Sequence, residues 1–166
     1  MAGAGSTWQI DDELVSLCSL SAGDDLFGIE TKNICEVLGG REVQKVPMAP
    51  AFLAGIIPHR GEVLTTVNFR ALLGLPDKAG ASCVLVLEDE EHGERFGLMV
   101  DEIGGVVTVS GRMLELNPST LAYRCRVLFD GVYKMPTGLL MRIDPKMLRP
   151  SRLAEVGLFR KSNKKE

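Results

Sequence analysis

Residues Gly55 to Pro76 read Gly-Ile-Ile-Pro-His-Arg-Gly-Glu-Val-Leu-Thr-Thr-Val-Asn-Phe-Arg-Ala-Leu-Leu-Gly-Leu-Pro, and this stretch decides the fold class. The apolar pair Ile56-Ile57 is stopped by Pro58, the chain turns through His59-Arg60-Gly61, and the β-branched run from Val63 to Val67 resumes an extended segment. A short helical pattern follows and is closed by Gly74 and Pro76. The order is therefore strand, tight turn, strand, helical turn. Gly61 takes a positive φ at little cost, which holds the long cation of Arg60 beside a fixed turn. An ion pair from Arg60 to Glu62 or a near neighbour contributes little at an exposed site. Arginine is also enriched among the residues that dominate protein interfaces, so Arg60 is a candidate binding residue.

Toward the N-terminus, Leu14 to Leu20 reads as a mostly buried strand, and Ser21 to Asp25 supplies a turn into Leu26-Phe27-Gly28-Ile29, the second arm of a hairpin. Thr31 is positioned to cap a helical turn from Lys32 to Val37 that ends at Gly39-Gly40, with Ile34, Val37 and Leu38 inward and Glu36 outward. Val43 and Val46 mark another short strand, and Pro47 and Pro50 bracket a loop. Beyond Gly80, Cys83 to Leu87 is the most strand-like run, and the polar turn Asp89 to Glu94 leads into Phe96 to Val100. Asp101 to Gly105 turns the chain into Val106 to Val109, and Ser110 to Arg124 reads as a long loop with one helical turn. Arg126 to Tyr133 and Gly138 to Ile143 form a last strand pair. Asp144-Pro145 opens a helical turn to Leu148, and Ser151 caps a final helix carrying Leu153, Val156 and Leu158. Frequent short strands with helices of one or two turns favour an all-β barrel or sandwich over a βαβ fold.

At 166 residues the chain suits one domain, or two small subdomains sharing a core. A net charge of −3 gives no bulk electrostatic case for nucleic acid, and the basic tail of Arg160, Lys161, Lys164 and Lys165 reads as a solvated end. No apolar run approaches the ~20 residues of a membrane span and no secretory pattern opens the chain, so the expectation is a cytoplasmic protein without direct membrane insertion. Cys18, Cys35, Cys83 and Cys125 form no Cys-x-x-Cys pair, and three of them sit in apolar runs that suit a small buried hydrophobe. Phosphate-cradling glycine loops are absent, and His59 and His92 are in no His-Glu-x-x-His arrangement. The acidic run Glu88 to Glu91 with His92 lacks the spacing of a calcium loop and reads as a solvated hairpin tip. The Gly39-Gly40 and Gly104-Gly105 pairs read as turns needing positive φ. Catalytic, cofactor-binding and metal-binding residues are accordingly expected to be none.

The series Phe27-Gly28-Ile29-Glu30, Ile34, Glu36, Val37, Val46-Pro47, Phe52-Leu53-Ala54-Gly55, Arg60-Gly61-Glu62-Val63-Leu64, Val67-Asn68-Phe69-Arg70 and Leu72-Leu73-Gly74 closely resembles the CheW-like domain. The resemblance continues through Gly97 to Ile103, Val106, Gly131-Val132-Tyr133-Lys134 and Leu139 to Asp144. It implies two interlocked SH3-like five-stranded β-barrel subdomains around a common core, spanning residues 12–149. Residues 1–11 are then a leader, and 150–166 a short helix and basic tail. It also implies a non-enzymatic adaptor that joins the cytoplasmic tips of chemoreceptors to the regulatory domain of a CheA-type histidine kinase, recruited to membrane-bound receptor arrays. Arg60 matches the arginine of the family's Asn-x-Arg-Gly turn, Gly55 the glycine before it, and Ile34, Glu36 and Val37 match positions tied to partner binding. Pro58 stands where the family usually has asparagine, His59 where it has an apolar residue, and Asn68 where it often has aspartate. Two readings of other classes are a β-barrel binding a small ligand between the subdomains, and a thiol enzyme with a low-pKa cysteine.

Overall fold

The computed structural model describes residues 13–40, 42–78, 82–116 and 127–156. Ten strands run in chain order: β1 Leu14–Ala22, β2 Asp25–Glu30, β3 Ile34–Leu38, β4 Leu53–His59, β5 Glu62–Asn68, β6 Cys83–Glu88, β7 Arg95–Val100, β8 Glu102–Ser110, β9 Phe129–Met135 and β10 Gly138–Ile143. Among the described residues there are also two short α-helices, α1 at Phe69–Leu73 and α2 at Pro150–Val156, and three 3₁₀ turns at Thr31–Asn33, Gly111–Met113 and Pro145–Leu148. One five-stranded sheet has the order β8-β1-β2-β10-β9 and the other β3-β6-β7-β5-β4. Each sheet is antiparallel except at one junction, β2 with β10 in the first and β5 with β7 in the second.

The two orders are one pattern used twice. Each half of the chain makes a hairpin followed by three strands, and the halves exchange hairpins: β1-β2 joins β8, β9 and β10, and β6-β7 joins β3, β4 and β5. A weak sequence repeat follows this exchange. Phe27-Gly28-Ile29, Ile34 and Val37 recur with the same spacing as Phe96-Gly97-Leu98, Ile103 and Val106. Gly55-Ile56, Leu64, Val67, Asn68 and Leu72 recur as Gly131-Val132, Leu140, Ile143, Asp144 and Leu148. The expected interlocking of two five-stranded β subdomains is therefore present, with an internal duplication that the sequence reading missed because so few positions are shared.

Burial explains why these runs alternate as they do. β6 is apolar on both faces: Val84 and Val86 pack with Leu38, Ile57 and Leu64 inside the second barrel, and Leu85 and Leu87 face the other sheet. Leu38 and Ile57 come from the two end strands of that sheet, so sharing one small core curls it closed. Leu17, Tyr133 and Leu140 form the counterpart inside the first barrel. Between the barrels lies the largest core, where Leu20, Phe27 and Ile29 meet Val67, Phe69, Leu85, Phe96 and Leu98. Phe27 packs edge-on to Phe69 at 4.8 Å and stacks on Phe129 at 5.4 Å. Each such fully buried side chain contributes about 1.5–3 kcal/mol.

Paired β-bulges let single strands serve two cores. The ladder shifts between Leu53 and Gly55 in β4, and opposite β10 between Phe129 and Gly131 in β9. Leu53 and Phe129 therefore face the shared core, whereas Ile57 and Tyr133 face their own barrels. The glycine after each bulge lies under a two-residue bridge, Gln44 to Ile56 and Glu115 to Val132. A Cβ on Gly55, whose φ is +146°, would stand 2.1 Å from the Gln44 carbonyl oxygen. One on Gly131 would stand 2.6 Å from Leu114 Cδ1.

Several local expectations change. Only Thr31–Asn33 is helical, a 3₁₀ turn without a side-chain cap, and Ile34–Leu38 is a strand because it pairs with β6. Leu38 is buried but Val37 is exposed, against the inward placement read from a helix. Pro58 does not stop β4, which continues to His59, because β4 is an end strand of its sheet where a missing donor is tolerated. The segment around Val43 and Val46 has only the Gln44 bridge. Gly40 takes the positive φ expected of a turn, but Gly104 and Gly105 lie within β8, where a Cβ on Gly104 would meet Ser19 Oγ at 2.5 Å. α2 begins at Pro150, not at a Ser151 cap, and Ser151 Oγ instead donates to Glu94 at 2.7 Å. Of the cysteines, Cys18 is buried, Cys83 partly so, and Cys35 is exposed. The leader, most of the Ser110 to Arg124 segment, Cys125, Leu158 and the basic tail lie outside the described residues.

Gly55→Ala should destabilise the fold by about 2–4 kcal/mol, since it combines positive φ with a backbone clash. Gly105→Ala, with open space around the added methyl, should stay within about 0.5 kcal/mol. Urea denaturation compares them, and equal stability of the two variants would contradict the assigned role of Gly55.

Candidate interaction site

The β4-β5 hairpin turns on two residues, with His59 opposite Glu62 in register. Arg60 has φ +52° and Gly61 φ +80°, the pair of left-handed conformations that suits the twist of a two-residue hairpin. Glycine is at home there, but an arginine costs on the order of 1 kcal/mol in that conformation. What holds it is a carboxylate from another strand. Glu36 Oε1 accepts from Arg60 Nε at 3.1 Å and Nη2 at 2.9 Å, and His59 Nε2 lies 2.9 Å from the same oxygen.

These three side chains join the two ends of a sheet. Glu36 is on β3 and His59 on β4, the first and last strands in the order β3-β6-β7-β5-β4, so the clamp closes one end of the barrel through side chains. Exposure rises outward along it, from 7% for the His59 side chain to 33% for Glu36 and 71% for Arg60. The hydrogen bond from His59, then those from Arg60, hold the Glu36 carboxyl below the usual glutamate range. The sequence reading paired Arg60 with Glu62 and pointed Glu36 outward on a helix; the actual partner is Glu36, brought there by the β3-β6 ladder.

The surface around the clamp is partly apolar. Val37 follows Glu36 on β3 and is exposed, and Val63 stands opposite the exposed Pro58 beside the turn. Cys35 Sγ lies 3.9 Å from Glu88 Oε1, which also accepts from Arg95 at 2.8 Å. Of the five residues singled out in the sequence, Glu36, Val37 and Arg60 thus share this surface. Ile34 packs against the shared core, and Gly55 is buried toward the far end of β4. The reading missed His59 and Val63 as members, although His59 was visible as a departure from the family pattern.

Other candidates resolve into structure. Asp89 accepts from the backbone of His92 at 2.7 Å and of Glu94 at 3.1 Å, fastening the β6-β7 turn. Burial opposes its ionisation, yet those hydrogen bonds, together with one to the His92 ring at 2.9 Å, outweigh burial and leave its pKa lowered. Burial pushes the Cys18 thiol up, away from nucleophilic character. Among the described residues no group of three or more His, Cys, Asp and Glu side chains is placed to hold a metal ion, and no helix is long and apolar enough to cross a membrane. Between the barrels lies the shared core, with a polar cleft of about 170 Å³ at its rim lined by Glu30, Lys32, Glu90, Glu91, Arg142 and Lys146. The rim is crossed by ion pairs such as Lys32 to Glu90 at 3.5 Å and Lys146 to Glu91 at 3.3 Å.

Hairpin exchange and a polar clamp across one barrel mouth define a twin-barrel, all-β protein with a charged edge. The chain belongs to the CheW-like domain family, whose model matches residues 16–151. It is 24% identical over 143 residues to the chemotaxis protein CheW of Treponema pallidum, covering 81% of this chain and 82% of that one. To the chemotaxis protein CheW of Rhizobium meliloti it is 26% identical over 135 residues, covering 81% and 87%. The crystal structure of the scaffolding protein TtCheW from Thermoanaerobacter tengcongensis has the same fold, with a TM-score of 0.71 at 21% identity over 80% of this chain and 90% of that one.

Because the folded state depresses the Glu36 pKa, the clamp's contribution is present above the ordinary glutamate range and is lost as pH falls through the lowered value. In a ¹³C-carboxyl NMR titration, Glu36 should ionise below the exposed glutamates, and Arg60→Ala should move it upward. Titration of Glu36 together with the exposed glutamates would refute the clamp.

Proposed function

We propose that this chain is an adaptor without catalytic activity, coupling the cytoplasmic tips of chemoreceptors to a CheA-type histidine kinase. The observation that carries this reading is the match of residues 16–151 to the CheW-like domain. The shared twin-barrel architecture and the chemotaxis proteins among its relatives support it. The chain works in the cytoplasm at receptor arrays. Arg60, Glu36 and Val37 form the partner-facing edge, with Val63 extending its apolar part. Ile34 and Gly55 act from beneath, the first by seating β3 on the core and the second by letting Gln44 bridge to β4. Interfaces of this kind rest on a few anchored side chains, each worth about 2 kcal/mol or more when truncated.

Arg60→Ala should therefore weaken partner binding by about 30-fold, the equivalent of that energy. Its Tm should change little, because the side chain is 71% exposed. The assay is kinase stimulation in a reconstituted receptor array at matched adaptor concentrations. Stimulation equal to wild type would remove Arg60 from the interface, and a wild-type chain that stimulates no cognate kinase would remove the adaptor reading itself.

A further inference from the structure

His59 is the buried member of the clamp, and the fold does not require a polar residue there. Its counterpart in the other half of the chain is Met135, at the end of β9, which packs against the Leu17, Tyr133 and Leu140 core. The counterparts of Glu36 and Arg60 are Gly105 and Pro136, so among the described residues the equivalent end of the first barrel has no such clamp. At His59 the chain has instead placed a titratable ring 2.9 Å from the one carboxylate oxygen that holds Arg60. An ionised carboxylate has no proton to give, so Nε2 must be the donor.

We propose that His59 is a positioning residue for Arg60 and makes its release pH-dependent. With the ring neutral, the Nε2 proton fixes Glu36 Oε1, and Glu36 in turn holds the guanidinium. When the ring takes a proton from solvent on Nδ1, two cations share one carboxylate and the trio changes from neutral to a charge of about +1. The guanidinium is then repelled by the imidazolium and held less tightly. It is freed to meet an acidic group on a partner. The charged groups around the ring are Glu36 from β3, Arg60 in the turn and Glu62 opposite on β5. Glu88 on β6 and Arg95 on β7 are already paired with each other at 2.8 Å. The partner half of this inference rests on the adaptor reading, whereas the positioning half concerns the free protein alone.

The test is hydrogen exchange at the Arg60 Nε–H, followed by ¹⁵N NMR on the full chain without partner from pH 8 to 5.5, in wild type, His59→Gln and His59→Leu. At pH 8, exchange in wild type should be about three- to tenfold slower than in His59→Leu at the same pH, as expected for losing the support of one charge-assisted hydrogen bond. That ratio should fall toward one as the pH is lowered. In His59→Gln, which keeps a donor but cannot titrate, protection should persist at every pH. Equal exchange in wild type and His59→Leu at pH 8, or a ratio that does not change with pH, overturns the proposal. If His59→Leu does not fold, the wild-type to His59→Gln ratio must still change with pH, and a constant ratio overturns it equally. An acidic partner that depends on Arg60 should bind wild type more tightly at pH 5.5 than at pH 8, and His59→Gln equally at both. Equal wild-type affinity at the two pH values overturns the regulatory half, while a chain that binds no partner at all fails the adaptor reading and leaves the exchange result standing.

Discussion

β1 and β2 leave the half of the chain that makes them and complete a sheet with β8, β9 and β10, while β6 and β7 complete the sheet of β3, β4 and β5. Neither half can bury its own barrel core without the other's hairpin, and the Phe27, Phe69 and Phe129 cluster sits where the two exchanges meet. Because β1 pairs with β8 and β2 with β10, the decisive contacts are far apart in sequence. Such topology makes folding slow, since loop closure is lost before burial repays it. It also makes the barrels stand or fall together.

This constraint explains which parts of the sequence were legible. Strand-turn-strand units with their own turn chemistry, such as Leu14 to Ile29 and Cys83 to Val100, could be read locally because alternation and polar turns specify them. β3 could not. Its five residues take strand form from pairing with β6, nearly fifty residues away, and local propensity gave only a helical turn. Pro58 was read as a strand stop for a similar reason: whether proline is tolerated depends on β4 lying at the end of its sheet, which no local pattern reveals.

The site was legible in part. Arg60 and Glu36 were found as family positions, but not as partners, because the sheet order that joins β3 to the β4-β5 turn is a tertiary fact. Gly55 was found as well, and the structure gives it a physical reason in the Gln44 bridge. The exchange itself leaves only a faint trace in the sequence, the internal repeat. The Phe-Gly pairs at Phe27 and Phe96, with isoleucine and valine following at the same spacing, were both in view.

The duplication offers a comparison inside one molecule. Positions that shape the fold agree between the halves: the bulge followed by glycine, the bridge above it, and Asn68 and Asp144 whose side chains cap the next turn. Positions of the clamp do not agree, since Gly105, Met135 and Pro136 stand where Glu36, His59 and Arg60 stand. Among the described residues the first barrel has no such clamp, so closing the barrel is not a sufficient reason for it in the second. Three ionisable side chains at one barrel mouth, one of them in a strained backbone conformation, are better explained by what they present outward. On that comparison the twin barrels share one scaffold, and the clamp is where their equivalent ends differ.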